Sequence, residues 1–183
     1  MIRYLIFLVL SCLVVYAVTI FFRLGGHLPV TIEKIDEYPQ VALLYKSHTG
    51  AYHKINDVIK EVEAWALEQN LPCKRTFGEY LDDPRTAEEA RLRSYGGCIL
   101  DGIQSVSMAG VLPGGFEMRT LESRAYVRAE FEGAPSISPF KVYPKAMEYL
   151  EENRLKLSGA VIEIYSFQGE RKALTEFLFP ITK

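Results

Sequence analysis

Side chains able to do chemistry are few in this sequence. Glu163 stands in Ile162-Glu163-Ile164-Tyr165, where strand alternation sends it to the face opposite its two isoleucines. A carboxylate in a low-dielectric pocket on that face would be a strong partner for a cation, and neighbouring aromatic faces would add cation–π attraction. The same alternation equally produces a solvated face. Glu79, in Gly78-Glu79-Tyr80, opens a comparable Glu/Tyr step 84 residues earlier (163 − 79); as the pseudo-symmetric partner of Glu163 it offers either a second acid or another solvated one. His48 and His53 lie five apart across a turn, with no third ligand spaced to complete a metal site. Asp82-Asp83 runs into Pro84, for which a turn is a simpler account than a cation site. There is no G-x-S-x-G, and neither Cys73 nor Cys98 has a histidine near it in sequence. No metal, no cofactor and no nucleophile are therefore expected. Cys73 and Cys98 read as two small buried thiols, with a bridge between them as the alternative if they face an oxidising compartment.

These residues must be positioned by alternating strands and helices. Val30–Glu37 and Val41–Ser47 have strand patterning, and Gly50 marks a turn after them. Lys54–Gln69 is a helix: Ile55, Val58, Ile59, Val62, Trp65 and Ala66 form one stripe at helical spacing, and Asn70 and Pro72 stop it. Residues 74–81 and 89–100 read as a strand pair, with a bulge expected at Gly96-Gly97. Residues 116–121 and 125–132 follow as strands. A second helix spans Pro139–Asn153, with Ser138 as its cap, Pro139 at the first position, and Pro144 forcing either a kink or a start near Val142. Residues 160–167 and 173–179 close the chain as strands of a hairpin turned at Gln168-Gly169-Glu170. Strand, strand, helix, strand, strand, and then the same again, is a duplicated unit. It predicts an α+β fold with an antiparallel sheet, two helices and a central cleft, where ligands commonly bind. Tyr52, Phe77, Phe140, Tyr143 and Tyr165 are the aromatic candidates to line it, against the plain reading that many of them are core.

Tyr4 to Phe22 is 19 residues without a charge, flanked by Arg3 and Arg23. As a helix it covers roughly 28 Å, about the hydrocarbon thickness of a bilayer. It exceeds a usual signal-peptide core, and no A-x-A-like site follows, so residues 1–29 are expected to be an uncleaved single-pass membrane anchor and connector. Residues 30–183 are expected to form one domain. Flanking charges leave open which side it faces. Removing Arg3 and Arg23 from the 21 basic residues leaves 19 against 23 acidic ones, about −4. With no basic run, this balance excludes a nucleic-acid partner.

Taken in order, four segments resemble the GyrI-like effector-binding domain, a module shared with ligand-sensing halves of some bacterial regulators. They are His48-Thr49-Gly50-Ala51-Tyr52, Tyr80-Leu81-Asp82-Asp83-Pro84, Leu92-Arg93-Ser94-Tyr95 and Ile162-Glu163-Ile164-Tyr165, spread over roughly residues 30–180. The layout is also similar to the membrane-anchored branch known in animals as a testis-expressed receptor for autophagy of the endoplasmic reticulum, with Val142, Pro144, Ala146 and Tyr149 echoing its second helix. That receptor carries its adaptor motif in a long tail that the present sequence lacks, so its role is not implied. What the resemblance implies is a small-molecule-binding module in which Glu163 is the acid of an aromatic cleft and takes cationic or amphipathic ligands. Tyr165, Tyr143, Phe140, Tyr52, Phe77 and Glu79 are the accompanying candidates. The anchor occupies the place where regulators carry their DNA-binding segment, so a transcription factor is not expected. Two other readings stay open: hydrolysis of electrophilic small molecules through Glu163 and a tyrosine hydroxyl, and a membrane-tethered adaptor for a protein partner.

Overall fold

The computed structural model describes residues 2–103, 112–121, 123–168 and 172–182. Helix α1 (Ile2–Arg23) is followed by β1 (Val30–Ile35), β2 (Val41–Thr49), α2 (Ile55–Glu68), β3 (Cys73–Tyr80), β4 (Arg93–Leu100), β5 (Phe116–Leu121), β6 (Tyr126–Phe131), α3 (Ser138–Glu152), β7 (Lys156–Leu157), β8 (Val161–Gln168) and β9 (Lys172–Thr182). The fold is α+β. Its antiparallel sheet has the order β1-β6-β9-β8-β3-β4-β2-β5, with the short β7 off this path and paired to β9. The order reads the same from either edge: β1 answers β5, β6 answers β2, β9 answers β4 and β8 answers β3. The duplication expected from the sequence is thus a pseudo-two-fold whose axis passes between β3 and β8.

Each half carries one helix, and both lie on the same face of the sheet. In α2 the buried positions are Ile55, Ile59, Val62 and Ala66, and the last two close over Ala42, Leu44, Cys98 and Leu100. In α3 they include Val142, Ala146 and Leu150, packed on Val127, Phe131, Phe177 and Phe179. The opposite face holds a separate cluster of Leu43, Phe77, Ile99, Ile162, Ile164 and Leu178 with Tyr38 and Tyr126. Helix α1 has no buried residue. Among the described residues it is the one helix long and apolar enough to cross a bilayer, features it shares with a signal sequence.

Several local expectations are corrected. No bulge occurs at Gly96-Gly97, because pairing is continuous across both residues. Gly96 instead admits α2: a Cβ there would lie 2.9 Å from Ile59 Cγ1 and 3.0 Å from Ile55 Cγ1. The irregularity lies in β3, between Cys73 and Arg75. Residues Glu89–Arg91 form a 3₁₀ turn, so β4 begins only at Arg93. Helix α3 runs through Pro144 from Ser138. The bond proline cannot make would have used the carbonyl of Phe140, in the first turn of the helix, where Phe140 itself is exposed. Ser138 does not cap α3, and its hydroxyl donates to the Pro135 carbonyl. The turn expected at Gln168-Gly169-Glu170 falls partly on residues 169–171, outside the described residues. Cys73 and Cys98 are not separate thiols but a disulfide, with Cα atoms 5.3 Å apart. In register, Cys98 faces Thr76; the irregularity after Cys73 is what brings the sulfurs together, and spacing in sequence carries no trace of it.

Candidate functional site

Register fixes which residues share the sheet's helix-bearing face. Residues directly opposite in an antiparallel pair point the same way, and every second residue repeats it. Glu163 faces Gly78 on β3 and Phe177 on β9, Tyr165 faces Thr76, and Tyr80 faces Val161. The floor on the pseudo-two-fold axis is therefore Glu163 beside Gly78, with Tyr165 and Tyr80 at symmetric positions 85 residues apart. An offset of 85 keeps a residue on its face, whereas the 84 that separates Glu79 from Glu163 reverses it. Glu79 is thus not the symmetric partner of Glu163; Gly78 is.

Four tyrosines gather around the Glu163 carboxylate, which is only 5% exposed. Tyr143, from α3, donates to Oε1 at 3.1 Å, and Tyr165 donates to Oε2 at 3.1 Å. Tyr80 lies 3.2 Å from the Tyr165 hydroxyl. Since Tyr165 spends its proton on the carboxylate, Tyr80 is the donor in that contact. The Tyr52 ring meets Tyr80 edge-on at 4.8 Å. Its hydroxyl is fixed at the rim, accepting from the Asp82 N–H at 3.0 Å and donating to the Asp82 carbonyl at 2.7 Å. Tyr143 is held from behind by the edges of Phe177 and Phe179, at 5.8 and 5.5 Å.

Burial dominates the electrostatics. It pushes the Glu163 carboxyl up to about 7, even though the hydroxyls of Tyr143 and Tyr165 stabilise its charged form. Burial, and then the charge of Glu163, raise Tyr143, Tyr165 and Tyr80 above the ordinary tyrosine range. Among the described residues no cation is bonded to this carboxylate, and the groups seen to donate to this buried acid, poised near neutrality, are neutral. Such a group can hold a positive charge brought to it, or pass a proton along the Tyr80–Tyr165–Glu163 chain.

The other expected site residues are dispersed. Phe77 is fully buried in the cluster on the opposite face. Glu79 is on that face too, paired with Arg119, whose guanidinium lies over the rings of Tyr45 and Tyr95 at 5.5 and 5.8 Å. Phe140 projects from the first turn of α3 and is 81% exposed. His48 places Nε2 3.2 Å from the Ala51 carbonyl, a turn contact. Among the described residues, no group of three His, Cys, Asp or Glu could hold a metal ion. Sequence reasoning left Tyr80 out of the site. Its signal was present, since Gly78 and Tyr80 stand two apart as Glu163 and Tyr165 do, but reading it requires the register.

Gly78 is what lets Tyr80 lean in: a Cβ there would lie 3.0 Å from Tyr80 Oη. Gly78→Ala is expected to swing Tyr80 off Tyr165 and admit water to Glu163. The carboxyl pKa, followed by carbon-detected NMR titration, then falls from about 7 toward the ordinary glutamate value of 4.5. An unchanged value would show that Tyr80 does not seal the acid.

The family model for the GyrI-like small molecule binding domain matches residues 29–182. No curated protein matches this chain. Among solved structures, the C-terminal domain of EcmrR superposes with a TM-score of 0.60 at 14% identity, covering 85% of this chain and 98% of that one. SAV2435 bound to tetraphenylphosphonium gives a TM-score of 0.53 at 15% identity, covering 85% and 94%. A hydrolase from Listeria innocua gives 0.53 at 12%, covering 83% and 92%. At these identities the likeness is one of fold.

Proposed function

Because the chain belongs to the GyrI-like small molecule binding domain family, we propose that its tyrosine-walled cluster captures a small amphipathic or cationic molecule, with Glu163 as counter-charge. The observation that carries this reading is a carboxylate 5% exposed whose hydrogen-bond partners, Tyr143 and Tyr165, are both neutral. A buried charge without a partner of opposite sign is costly, and an incoming cation relieves that cost. Tyr143, Tyr165, Tyr80 and Tyr52 supply the aromatic walls. Phe77 and Glu79 take no part from the far face, and Phe140 stands outside the walls. The fold neighbour bound to tetraphenylphosphonium supports a lipophilic cation as the first probe.

In this reading α1 anchors the domain as a single-pass helix. The Cys73–Cys98 disulfide favours an oxidising compartment for the domain, because thiols on the reducing side of a membrane are kept reduced.

The test is a thermal-shift screen of residues 28–183 with cationic and neutral amphipathic compounds, run beside Glu163→Gln. A ligand at 100 times its Kd adds about 2.7 kcal/mol to folded-state stability. Compounds that raise the midpoint of the parent protein and leave the variant unmoved support the charge-reading site. A library that shifts neither protein, or both equally, removes Glu163 from the account.

A second reading is favoured by the same acid sitting near 7, where a carboxyl exchanges protons readily at neutral pH: general acid–base hydrolysis of an electrophilic small molecule, with Tyr143 or Tyr165 assisting. Turnover lost in Glu163→Gln while ligand still binds would select hydrolysis; parallel loss of binding would select capture.

A further inference from the structure

The junction between α1 and the domain is built, not loose. Directly after α1, the Leu24 carbonyl accepts from the Ala134 N–H at 2.9 Å. Gly25 has a φ of +81°, and a Cβ on it would lie 3.1 Å from Gly133 Cα, so the two backbones touch there. Lys141, on the first turns of α3, donates its ammonium to the carbonyls of both Gly26 and Leu28, and it lies over the Phe131 ring at 5.1 Å. These contacts tie the start of α3 to residues three to five positions beyond Arg23, the last residue of α1.

Next to Lys141 in sequence is Phe140, 81% exposed, and Met147 is 40% exposed. Phe140, Pro144 and Met147 follow the i, i+4, i+7 spacing of one helix face, and all three are exposed. They form an apolar stripe on the outside of α3, while Val142, Ala146 and Leu150 bury its inside. A large aromatic left this open has no packing role in the domain.

We propose that this outer face of α3 rests in the lipid interface of the bilayer that α1 enters, with Phe140 as the inserted side chain. The inference rests on the reading of α1 as a membrane anchor. The headgroup region on each side of a bilayer is roughly 5–7 Å deep, so residues 24–28 leave α1 within it, and Lys141 holds Phe140 beside them. On helices that lie in the interface plane, Trp, Phe and Leu of the apolar face enter the boundary between headgroups and acyl chains while the polar face stays wet. Lipid is preferred to a protein partner because Lys141, next to Phe140 in sequence, is bonded to residues 26 and 28, just beyond the end of α1. Tyr143 lies one helical turn beyond Phe140 on the same helix. The tyrosine cluster around Glu163 therefore lies near the interface, where amphipathic molecules concentrate.

The test uses the full chain in phosphatidylcholine nanodiscs whose acyl chains carry bromine, a short-range quencher of tryptophan emission. The parent chain, whose Trp65 packs against Phe116 in the core, gives the background. Phe140→Trp is expected to add emission that brominated lipid cuts by at least about twofold, as for an interfacial aromatic. Phe22→Trp tests the anchor separately. Quenching of the residue-22 probe without the residue-140 probe overturns the proposal and leaves the anchor standing, with the stripe then free for a protein partner. Quenching of neither overturns both.

Discussion

At pH 8, in the absence of ligand, Glu163→Gln is expected to melt about 6–12 °C above the parent protein, and the two are expected to converge near pH 4. The sign follows from linkage. The Glu163 carboxyl has a folded-state value of about 7, against 4.5 for a solvated glutamate. Between those values the folded protein binds a proton that the unfolded chain has released, so the contribution of Glu163 is fully present below 4.5. It is lost as pH rises through 7. The gap corresponds to about 3 kcal/mol, and a domain of this size shifts by about 2–4 °C per kcal/mol. Glutamine keeps the shape and the neutral charge state, so it retains that contribution at every pH. Glu79 and Glu176 are also raised by burial and tilt the curves of both proteins equally. The difference between the two isolates Glu163. Coincident melting at pH 8 would mean that the charge is already compensated, and the cluster would lose its reason to recruit a cation.

Reduction of the Cys73–Cys98 disulfide is expected to cost about 3 kcal/mol, appearing as a midpoint lower by about 6–12 °C. The bridge closes a span of 25 residues, which includes all of β3 and the excursion from Asp82 to Arg91. Without it the unfolded chain recovers most of that loop's freedom. The bridge also clamps β3, the strand that carries Gly78 and Tyr80, to β4, whose Gly96 lies under α2. Loosening is therefore expected to reach the tyrosine cluster before the α3 half of the sheet. Hydrogen exchange with and without reductant reads this directly, with faster exchange at β3 and β4 than at β6 and β9. Alkylation of protein from intact cells without reductant should label one cysteine, Cys12, the free thiol. Labelling of three would place the domain in a reducing compartment and contradict its proposed orientation.

Which parts of this were legible in the sequence follows from what each part depends on. The α2 stripe of Ile55, Ile59, Val62 and Ala66 is a local pattern, and its period alone shows which face is buried. The duplication was readable because two similar halves repeat the same element order. The position of Glu163 on the face opposite Ile162 and Ile164 also followed from alternation. Whether that face was solvent or cleft did not, since the answer lies in α3 delivering Tyr143 from a turn that is remote in sequence. Glu79 was misassigned as the symmetric partner because matching Glu/Tyr steps by eye ignores the face-keeping rule, which shifts the match by one residue. The disulfide depended on an irregularity in β3 that no residue type announces. Phe140 was grouped with the aromatic candidates for the cleft, yet in the first turn of α3 it is 81% exposed, while Tyr143 one turn further on is the residue that reaches Glu163.

Calorimetric titration of tetraphenylphosphonium into the parent protein and Glu163→Gln, at pH 6 and pH 8, tests the central claim most directly. A permanent cation needs the ionised carboxylate. With a carboxyl near 7, about one-tenth of the sites are ionised at pH 6 and nine-tenths at pH 8. Affinity is then expected to rise about tenfold between the two in the parent protein, with a proton released on binding at pH 6. In Glu163→Gln it should be weaker by at least about tenfold at pH 8 and independent of pH. Equal affinity of the two proteins at pH 8, or a parent affinity indifferent to pH, would contradict a site built around the charge of Glu163.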